Sequence, residues 1–251
     1  MTIDDLEDLL STQTVRARHF TDMDWRDQDG AECLFEECVF DGVRFTGCDF
    51  TASRFRNCRF IRCRLSHAKL RDAVFEGCAF VAEDDRTAGC TIAFSDLRAV
   101  RFDRCDLSFC TLDRCDLFEV EAQGCTFMGA RFHLVEIRHA LSRKQTLSRA
   151  TFRDCNLELA DLSRLSLVEV AITGCRLRET DLHGADLTNA TLRDSDLFQA
   201  ILTGARLDGA DLRGAEISGL DLRLLAGFNG LKIAPDQQHV LLQATGIDVS
   251  D

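Results

Sequence analysis

The side chains most able to form covalent bonds or bind a metal are the thirteen cysteines. So many cysteines would ordinarily indicate disulfides or a metal site. Each one, however, stands two residues before a Phe, Leu or Ile. One shared position for every cysteine indicates a packing role, because a free thiol behaves as a small buried hydrophobe. We therefore predict no disulfide and no metal site.

The other candidate catalytic residues form no recognisable constellation. The chain contains no Walker loop, no G-x-S-x-G, no H-E-x-x-H and no dinucleotide-binding glycine pattern. The histidines are scattered at mostly outward positions, at residues 19, 67, 133, 139, 183 and 239. We therefore predict no catalytic residue, no cofactor and no enzymatic activity.

The dominant pattern is a five-residue period. Every fifth residue from Phe35 to Phe80 is Phe or Leu, and the residue two positions earlier is small or medium-sized. From Leu97 to Leu222 the period continues, and only Ala122 and Ser142 among its centres are not Leu, Ile or Phe. Helices repeat at 3.6 residues and strands at 2, so neither explains the pattern. It predicts an all-β solenoid, a right-handed quadrilateral β-helix whose coils turn a corner every five residues.

The interruptions define the predicted domain limits. We expect an N-terminal segment over residues 1–17 with a short amphipathic helix, a solenoid over 18–226, and a segment over 227–251. A polar stretch at 81–89 shifts the frame and predicts a loop excursion. Residues 138–149 keep the frame, so they form either a ten-residue loop, which we favour, or two poor repeats.

The C-terminal segment carries helix signals. Pro235 suits the first position of a helix, and Gly246 suits its C-terminal cap. This helix either caps the last coil or forms a two-fold dimer contact, and one surface can serve both purposes.

Charge narrows the choice of partner. A net charge of −12 argues against direct nucleic-acid binding, and it suits either a basic partner surface or simple solubility. If positions 20 apart share a face, Asp96, Asp116 and Glu136 stack, and Asn156 and Arg176 separate them from Asp196 and Glu216 on the same line. Asp161, Asp181 and Asp221 then mark an adjacent face. Such rows, at about 4.8 Å per coil, approach the charge spacing of duplex DNA within a factor of about three.

No apolar run is long enough to span a membrane, and the acidic N-terminus lacks the features of a secretory signal. We expect a cytoplasmic protein.

These repeats resemble the pentapeptide-repeat superfamily. The interruptions are similar to those of its topoisomerase-protecting branch, the Qnr-type and MfpA-type fluoroquinolone-resistance proteins. A loop leaves after Phe80 and returns at Gly89, and a second irregular segment follows at residues 138–149. The ending 230–233, then 237–242 and 246–247, is similar to the dimerisation segment of that branch.

The resemblance implies a DNA-mimicking protein that binds DNA gyrase, with topoisomerase IV as second candidate, and counters fluoroquinolones or natural poisons. The implied partner-binding residues are Glu83, Asp84, Asp85 and Arg86 in the first loop; Arg138, Arg143, Lys144 and Gln145 in the second; and, on an acidic face, Asp96, Asp116, Glu136, Asp161, Asp181, Asp196 and Glu216. It also implies a homodimer through Phe228, Leu231, Ile233, Val240, Leu241, Leu242 and Ile247. The alternative is a scaffolding protein with another protein partner, whose function would survive removal of both loops.

Overall fold

Each five-residue unit follows the same backbone path. In the computed structural model, which describes residues 3–82, 85, 87–142 and 145–247, the centre of a unit is buried and its two neighbours point outward. In the segment Arg54–Arg56, for example, Phe55 is 1% exposed. The residue two positions after a centre takes a left-handed conformation and turns the corner, as Asn57 does at φ 51°. Amphipathic three-residue strands separated by corners therefore wrap one continuous core.

The elements run in chain order as follows. Before the first excursion they are α1 (Ile3–Ser11), β1 (Thr14–Arg16), β2 (His19–Thr21), β3 (Asp24–Arg26), β4 (Leu34–Glu36), β5 (Val39–Asp41), β6 (Arg44–Thr46), β7 (Arg54–Arg56), β8 (Arg59–Ile61), β9 (Arg64–Ser66) and β10 (Val74–Glu76). After it come β11 (Thr91–Ala93), β12 (Arg101–Asp103), β13 (Thr111–Asp113), β14 (Val120–Gln123), β15 (Arg131–His133), β16 (Arg138–Ser142), β17 (Gln145–Ser148), β18 (Ala150–Arg153), β19 (Ala171–Thr173), two 3-10 turns (Leu222–Leu224 and Pro235–Gln237) and α2 (Gln238–Ala244).

Parallel pairing between coils creates four faces. Face 1 is an eight-stranded sheet in the order β1-β4-β7-β10-β12-β14-β18-β19. Face 2 holds β2-β5-β8 and continues from Ala79 to Glu216 through single bridges. Face 3 holds β3-β6-β9-β11-β13-β15 in register, and face 4 is built from single bridges such as Asp96 with Asp116. The predicted β-solenoid is confirmed.

The core is filled by columns of apolar side chains that stack from coil to coil. On face 1 the rings of Phe35, Phe55 and Phe75 are parallel, with centroids 4.7 Å apart at each step. All thirteen cysteines are free and buried. Their thiols bond to carbonyls of the neighbouring coil, as Cys58 Sγ does to Phe35 O at 3.4 Å. Burial raises the pKa of the Cys110 thiol to about 12, so this thiol stays neutral.

Two insertions interrupt the 20-residue coil. Phe75 pairs with Phe102, 27 residues later, so the first excursion adds seven residues. Ala122 pairs with Phe152, 30 residues later, so the second adds ten. The second insertion is an antiparallel hairpin of β16 and β17 rather than two poor repeats.

Both limits of the solenoid differ from the sequence-based expectation. The coil starts at Thr14, not at residue 18, because Val15 already lies in register with Phe35. It also extends past residue 226, because Gly227 pairs with Arg206 and Lys232 with Asp211. The 3-10 turn at Leu222–Leu224 shifts the frame by one residue, so the last repeats do not fit the five-residue count.

Each end of the solenoid is covered by a helix. At the N-terminal end α1 buries Leu6 and Leu10 against the first coil. At the other end Gln237 is 6% exposed, and its Nε2 donates to the carbonyls of Leu212 at 2.9 Å and Ala215 at 2.7 Å. The amide thereby satisfies two carbonyls of the final coil. In the described part of the chain, no helix is both long and apolar enough to cross a membrane.

Candidate partner-binding surface

The acidic residues form rows along the solenoid, but not on one line. Asp96, Asp116 and Glu136 pair in succession on face 4, as the 20-residue spacing predicts. Asp196 and Glu216 pair on face 2. The expectation that both groups share a line is wrong, because the ten residues of the hairpin do not wind the coil, so every later residue lies two faces short of the position that its number implies. Asp161 and Asp181 pair on face 3, between these two faces.

The carboxylates on face 4 are largely paired with arginines. Arg98 binds Asp96 and lies 3.4 Å from Asp116, and Arg138 lies 3.6 Å from Glu136. Burial, followed by the neighbouring charges of Asp96 and Glu136, raises the pKa of Asp116. This row therefore offers a partner less negative charge than its composition implies.

Two carboxylates on face 3 of the C-terminal coils are more available. Asp161 Oδ1 accepts the backbone N–H of Ser163 at 3.0 Å, and Asp181 Oδ1 accepts that of His183 at 2.8 Å. Within the described residues neither carboxylate has an ion pair. On face 2, Asp196 is paired with Arg178.

Glu216 continues that column. Hydrogen bonds from Ser218 lower the pKa of Glu216, which favours its charged form. Of these rows, the carboxylates without an ion pair among the described residues are therefore Asp161 and Asp181 on face 3 and Glu216 on face 2.

The first loop is only partly described. Glu83, Asp84 and Arg86 lie outside the described residues. Asp85 is exposed, and its Oδ1 accepts hydrogen bonds from the backbone and hydroxyl of Thr87, at 3.0 and 2.6 Å. The loop closes where Val81 pairs with Gly89, above Phe109 and Cys110 of the next coil.

The second loop projects from the solenoid as the β16–β17 hairpin. Arg138 opens this hairpin and pairs with Ser148, and Gln145 opens its second strand. Arg143 and Lys144 lie outside the described residues. At the foot of the hairpin, Arg149 is 3.1 Å from Glu119, so one of its basic side chains is held by the coil.

The C-terminal end presents a cluster of apolar side chains. Phe228 is 44% exposed, Leu242 38% and Ile247 52%, while Leu231, Ile233, Val240 and Leu241 are half-buried against the core. Leu224, 54% exposed, joins this end, and sequence reasoning missed it. All seven residues proposed for a dimer contact thus lie in the last segment of the fold, with three of them strongly exposed.

A second group of exposed apolar residues was also missed. Phe94, Leu134, Leu159, Phe198 and Ile201 are exposed on the sides of the solenoid. A signal for them exists in the sequence, because each occupies an outward position of the repeat where polar residues are usual. Within the described residues, no group of three or more His, Cys, Asp or Glu could hold a metal ion.

Comparison with known families adds sequence evidence to this geometry. A model of pentapeptide repeats matches residues 95–133, 146–178, 166–204 and 192–224, and a second such model matches 31–79. A curated relative, the quinolone resistance pentapeptide repeat protein QnrB96 of Scandinavium goeteborgense, is 29% identical over 80 residues. That match covers 32% of this chain and 37% of the relative's length.

Solved structures show the same fold. The plasmid-mediated fluoroquinolone resistance protein QnrB1 superposes with a TM-score of 0.71 at 22% identity, covering 93% of this chain and 99% of QnrB1. HetL, a pentapeptide repeat protein involved in heterocyst differentiation regulation in the cyanobacterium Nostoc, gives 0.50 at 18% identity, with coverage of 92% and 94%. At these identities the structural likeness speaks for the fold alone.

Proposed function

Because this chain belongs to the pentapeptide-repeat family, we propose that it is a non-enzymatic, DNA-mimicking protein of the cytoplasm that binds DNA gyrase and protects it from fluoroquinolones or natural topoisomerase poisons. Topoisomerase IV is the second candidate target. The observation that carries the proposal is the pairing of acidic residues from coil to coil, as in Asp161 with Asp181 and Asp196 with Glu216, on a chain of net charge −12.

Electrostatic spacing supports the mimicry. Stacked carboxylates repeat every ~4.8 Å along one column, whereas duplex DNA carries one charge per ~1.7 Å of its axis. Two or three acidic columns on neighbouring faces therefore approach the charge density of a duplex. A gyrase surface that binds DNA phosphates through Lys and Arg would meet a comparable pattern here.

The two excursions would carry part of the protection. Both leave a rigid solenoid, which is where binding residues are commonly placed. The proposed contacts are Glu83, Asp84, Asp85 and Arg86 of the first loop, and Arg138, Arg143, Lys144 and Gln145 of the second.

We also assign the C-terminal apolar end to a homodimer contact. Two copies joined there would form one longer rod with a two-fold axis at its middle. The exposed side chains of Phe228, Leu242 and Ile247 would then be buried.

Supercoiling assays test the proposal. Purified gyrase is inhibited with ciprofloxacin and titrated with the intact protein or with a variant lacking residues 82–88 and 138–147. These deletions remove the seven and ten extra residues, so the remaining chain keeps 20-residue coils. Circular dichroism of the variant checks that the solenoid persists.

We expect the intact protein to restore supercoiling and the loopless variant to restore it less. Inhibition of gyrase without rescue would retain the binding but contradict the protective role. A loopless variant as active as the parent would remove the loops from the mechanism. No effect of a folded protein on gyrase or topoisomerase IV would favour scaffolding of another protein partner.

A further inference from the structure

Three stacked corners between faces 2 and 3 form one surface, which we call the corner patch. It comprises residues 158–161, 178–181 and 198–201. Adjacent corners are joined by backbone hydrogen bonds, from Leu159 N to Arg178 O at 3.1 Å and from Glu179 N to Phe198 O at 3.3 Å. The corner patch is therefore part of the rigid coil and not of either loop.

Three apolar side chains of the corner patch lie on the exposed surface and not in the core. Leu159 is 52% exposed, Ile201 48% and Phe198 37%. Leu159 also has φ +60°, a left-handed conformation that costs a branched aliphatic residue free energy. Exposed apolar groups gathered on one surface are typical of protein contacts.

Its charged side chains are mostly acidic and available. The acidic members are Glu158, Asp161, Glu179 and Asp181, and within the described residues none has an ion pair. The single cation, Arg178, binds Asp196 of the next coil and lies over the Phe198 ring at 5.5 Å. A partner therefore meets negative charge around apolar groups on two coils, Leu159 on one and Phe198 with Ile201 on the other, which lie two coil steps, or roughly 10 Å, apart.

The corner between faces 3 and 4 also carries exposed apolar residues, but it differs in the contacts of its aromatic ring and in the ion pairs of its carboxylates. Phe94 is covered on two sides, by the His67 ring at 5.2 Å and by Arg114 at 5.3 Å. The nearby carboxylates of Asp96 and Asp116 bind Arg98. In that corner the Phe94 ring and the carboxylates of Asp96 and Asp116 have partners within the protein, whereas in the corner patch Leu159, Ile201 and the four carboxylates have no comparable ring contact or ion pair among the described residues.

We propose that the corner patch is a contact site for the topoisomerase, and that the surface it receives is a basic segment carrying apolar side chains. This inference rests on the function proposed above and makes it more specific. Duplex DNA offers phosphates but no aliphatic or aromatic side chains in a comparable row. Contact through Leu159, Phe198 and Ile201 therefore adds an apolar contribution to the binding free energy, beyond the attraction of the carboxylates for a basic surface. Salt does not screen this apolar contribution.

The test compares gyrase binding by the full-length parent and three variants. The first variant, Leu159→Gly/Phe198→Ser/Ile201→Thr, removes the apolar groups with residues suited to those backbone positions. The second, Asp161→Asn/Asp181→Asn, removes two charges. The third, Phe94→Gly/Leu134→Gly, is the matched control, because both residues are exposed and left-handed on the other corner. Dissociation constants are measured at about 0.1 M and about 1 M salt, where the Debye length falls from ~10 to ~3 Å.

We expect the first variant to bind roughly tenfold more weakly at both salt concentrations, as loss of buried apolar contacts requires. The second should lose affinity mainly at low salt, and the third should match the parent. If the parent binds and the first variant binds equally well, the inference is overturned while the proposed function stands. If the parent does not bind gyrase or topoisomerase IV, both fail. Circular dichroism of each variant ensures that weaker binding is not misfolding.

Discussion

The Nε atom of Arg98 lies 3.4 Å from Oδ2 of Asp116 in the following coil, and the same guanidinium binds Asp96, two residues before Arg98 in its own coil. One arginine thus serves two carboxylates that the solenoid forces into a stack. Asp116 also faces Glu136 on its other side, so its environment remains net negative. Burial and this crowding raise the pKa of Asp116 above its ordinary value.

Replacing that carboxylate should stabilise the fold. A raised pKa means that folding disfavours the charged form, so Asp116→Asn should increase the free energy of unfolding at neutral pH by a few tenths of a kcal/mol. The gain should appear as pH rises above about 4, where the carboxyl of the unfolded chain ionises, and be absent at lower pH. Oδ1 of Asn can still accept the Phe118 N–H, as Asp116 does at 3.0 Å.

Urea unfolding between pH 3 and 7 would measure this effect. Asp186→Asn is the matched control, because Asp186 occupies the same position of the repeat between Ser166 and Arg206 rather than between carboxylates. A stabilisation of equal size in both variants would show that the stacked charges are not its cause.

Asp211 should behave in the opposite way. Its side chain is 12% exposed and accepts from Arg213 Nε at 2.8 Å and Nη2 at 2.6 Å. These bonds lower the pKa of Asp211 to about 2. The ion pair should therefore stabilise the fold above about pH 4 and lose this contribution as pH falls through about 2.

Asp211→Asn should cost about 1–2 kcal/mol at pH 7 and make unfolding less dependent on pH in the acid range. Thermal unfolding at several pH values would show both effects. Asp221→Asn removes a similar pair with Arg223 at the more exposed end of the solenoid, and should cost less. An unchanged acid dependence in Asp211→Asn would contradict the assignment.

Gly89 should be intolerant of any side chain. A Cβ at this position would lie 2.4 Å from Cys110 N and Phe109 C, which are backbone atoms fixed in the next coil. Gly89→Ala should therefore destabilise the protein by about 1–3 kcal/mol through overpacking. Gly204→Ala offers a comparison, since its Cβ would approach no atom closer than 3.9 Å and only its φ of +72° opposes the change. Equal urea midpoints for Gly89→Ala and the parent would refute the close packing of the first loop's return.

The proposed dimer contact predicts that charged substitutions at the C-terminal end convert a dimer into a monomer. Phe228→Asp/Leu242→Asp places charges on two exposed apolar side chains of the C-terminal end, and burying them in a dimer would cost several kcal/mol. The parent should sediment as a dimer and this variant as a monomer. Leu134→Asp is the control, because Leu134 is 60% exposed on a side corner and should leave the dimer intact. A monomeric parent would exclude the contact.

Much of the core could be predicted from residue types alone. The centres of the repeat and the small residues two positions earlier are buried along nearly the whole chain, including every cysteine. This follows because only apolar or small groups fit inside a coil of fixed circumference. Exposed apolar residues such as Phe198 and Ile201 depart from the pattern, but the sequence analysis did not single them out, and their grouping depends on which corners stack.

The sequence by itself therefore determined the solenoid, its core columns and the first interruption, since each follows from the five-residue period of inward-facing residues or from a shift in its frame. At residues 138–149 it left a loop and two poor repeats as alternatives. Only the tertiary structure decided which residues share a face. Glu136 and Asn156 are 20 residues apart, yet Glu136 pairs with Asp116 on face 4 and Asn156 with Thr126 on face 2. The ten-residue hairpin between them is a whole number of repeats, so the pattern continues undisturbed while the coil advances two faces fewer than the count implies. Pairing between coils, a long-range property, is what distinguishes residues that wind the solenoid from residues that leave it.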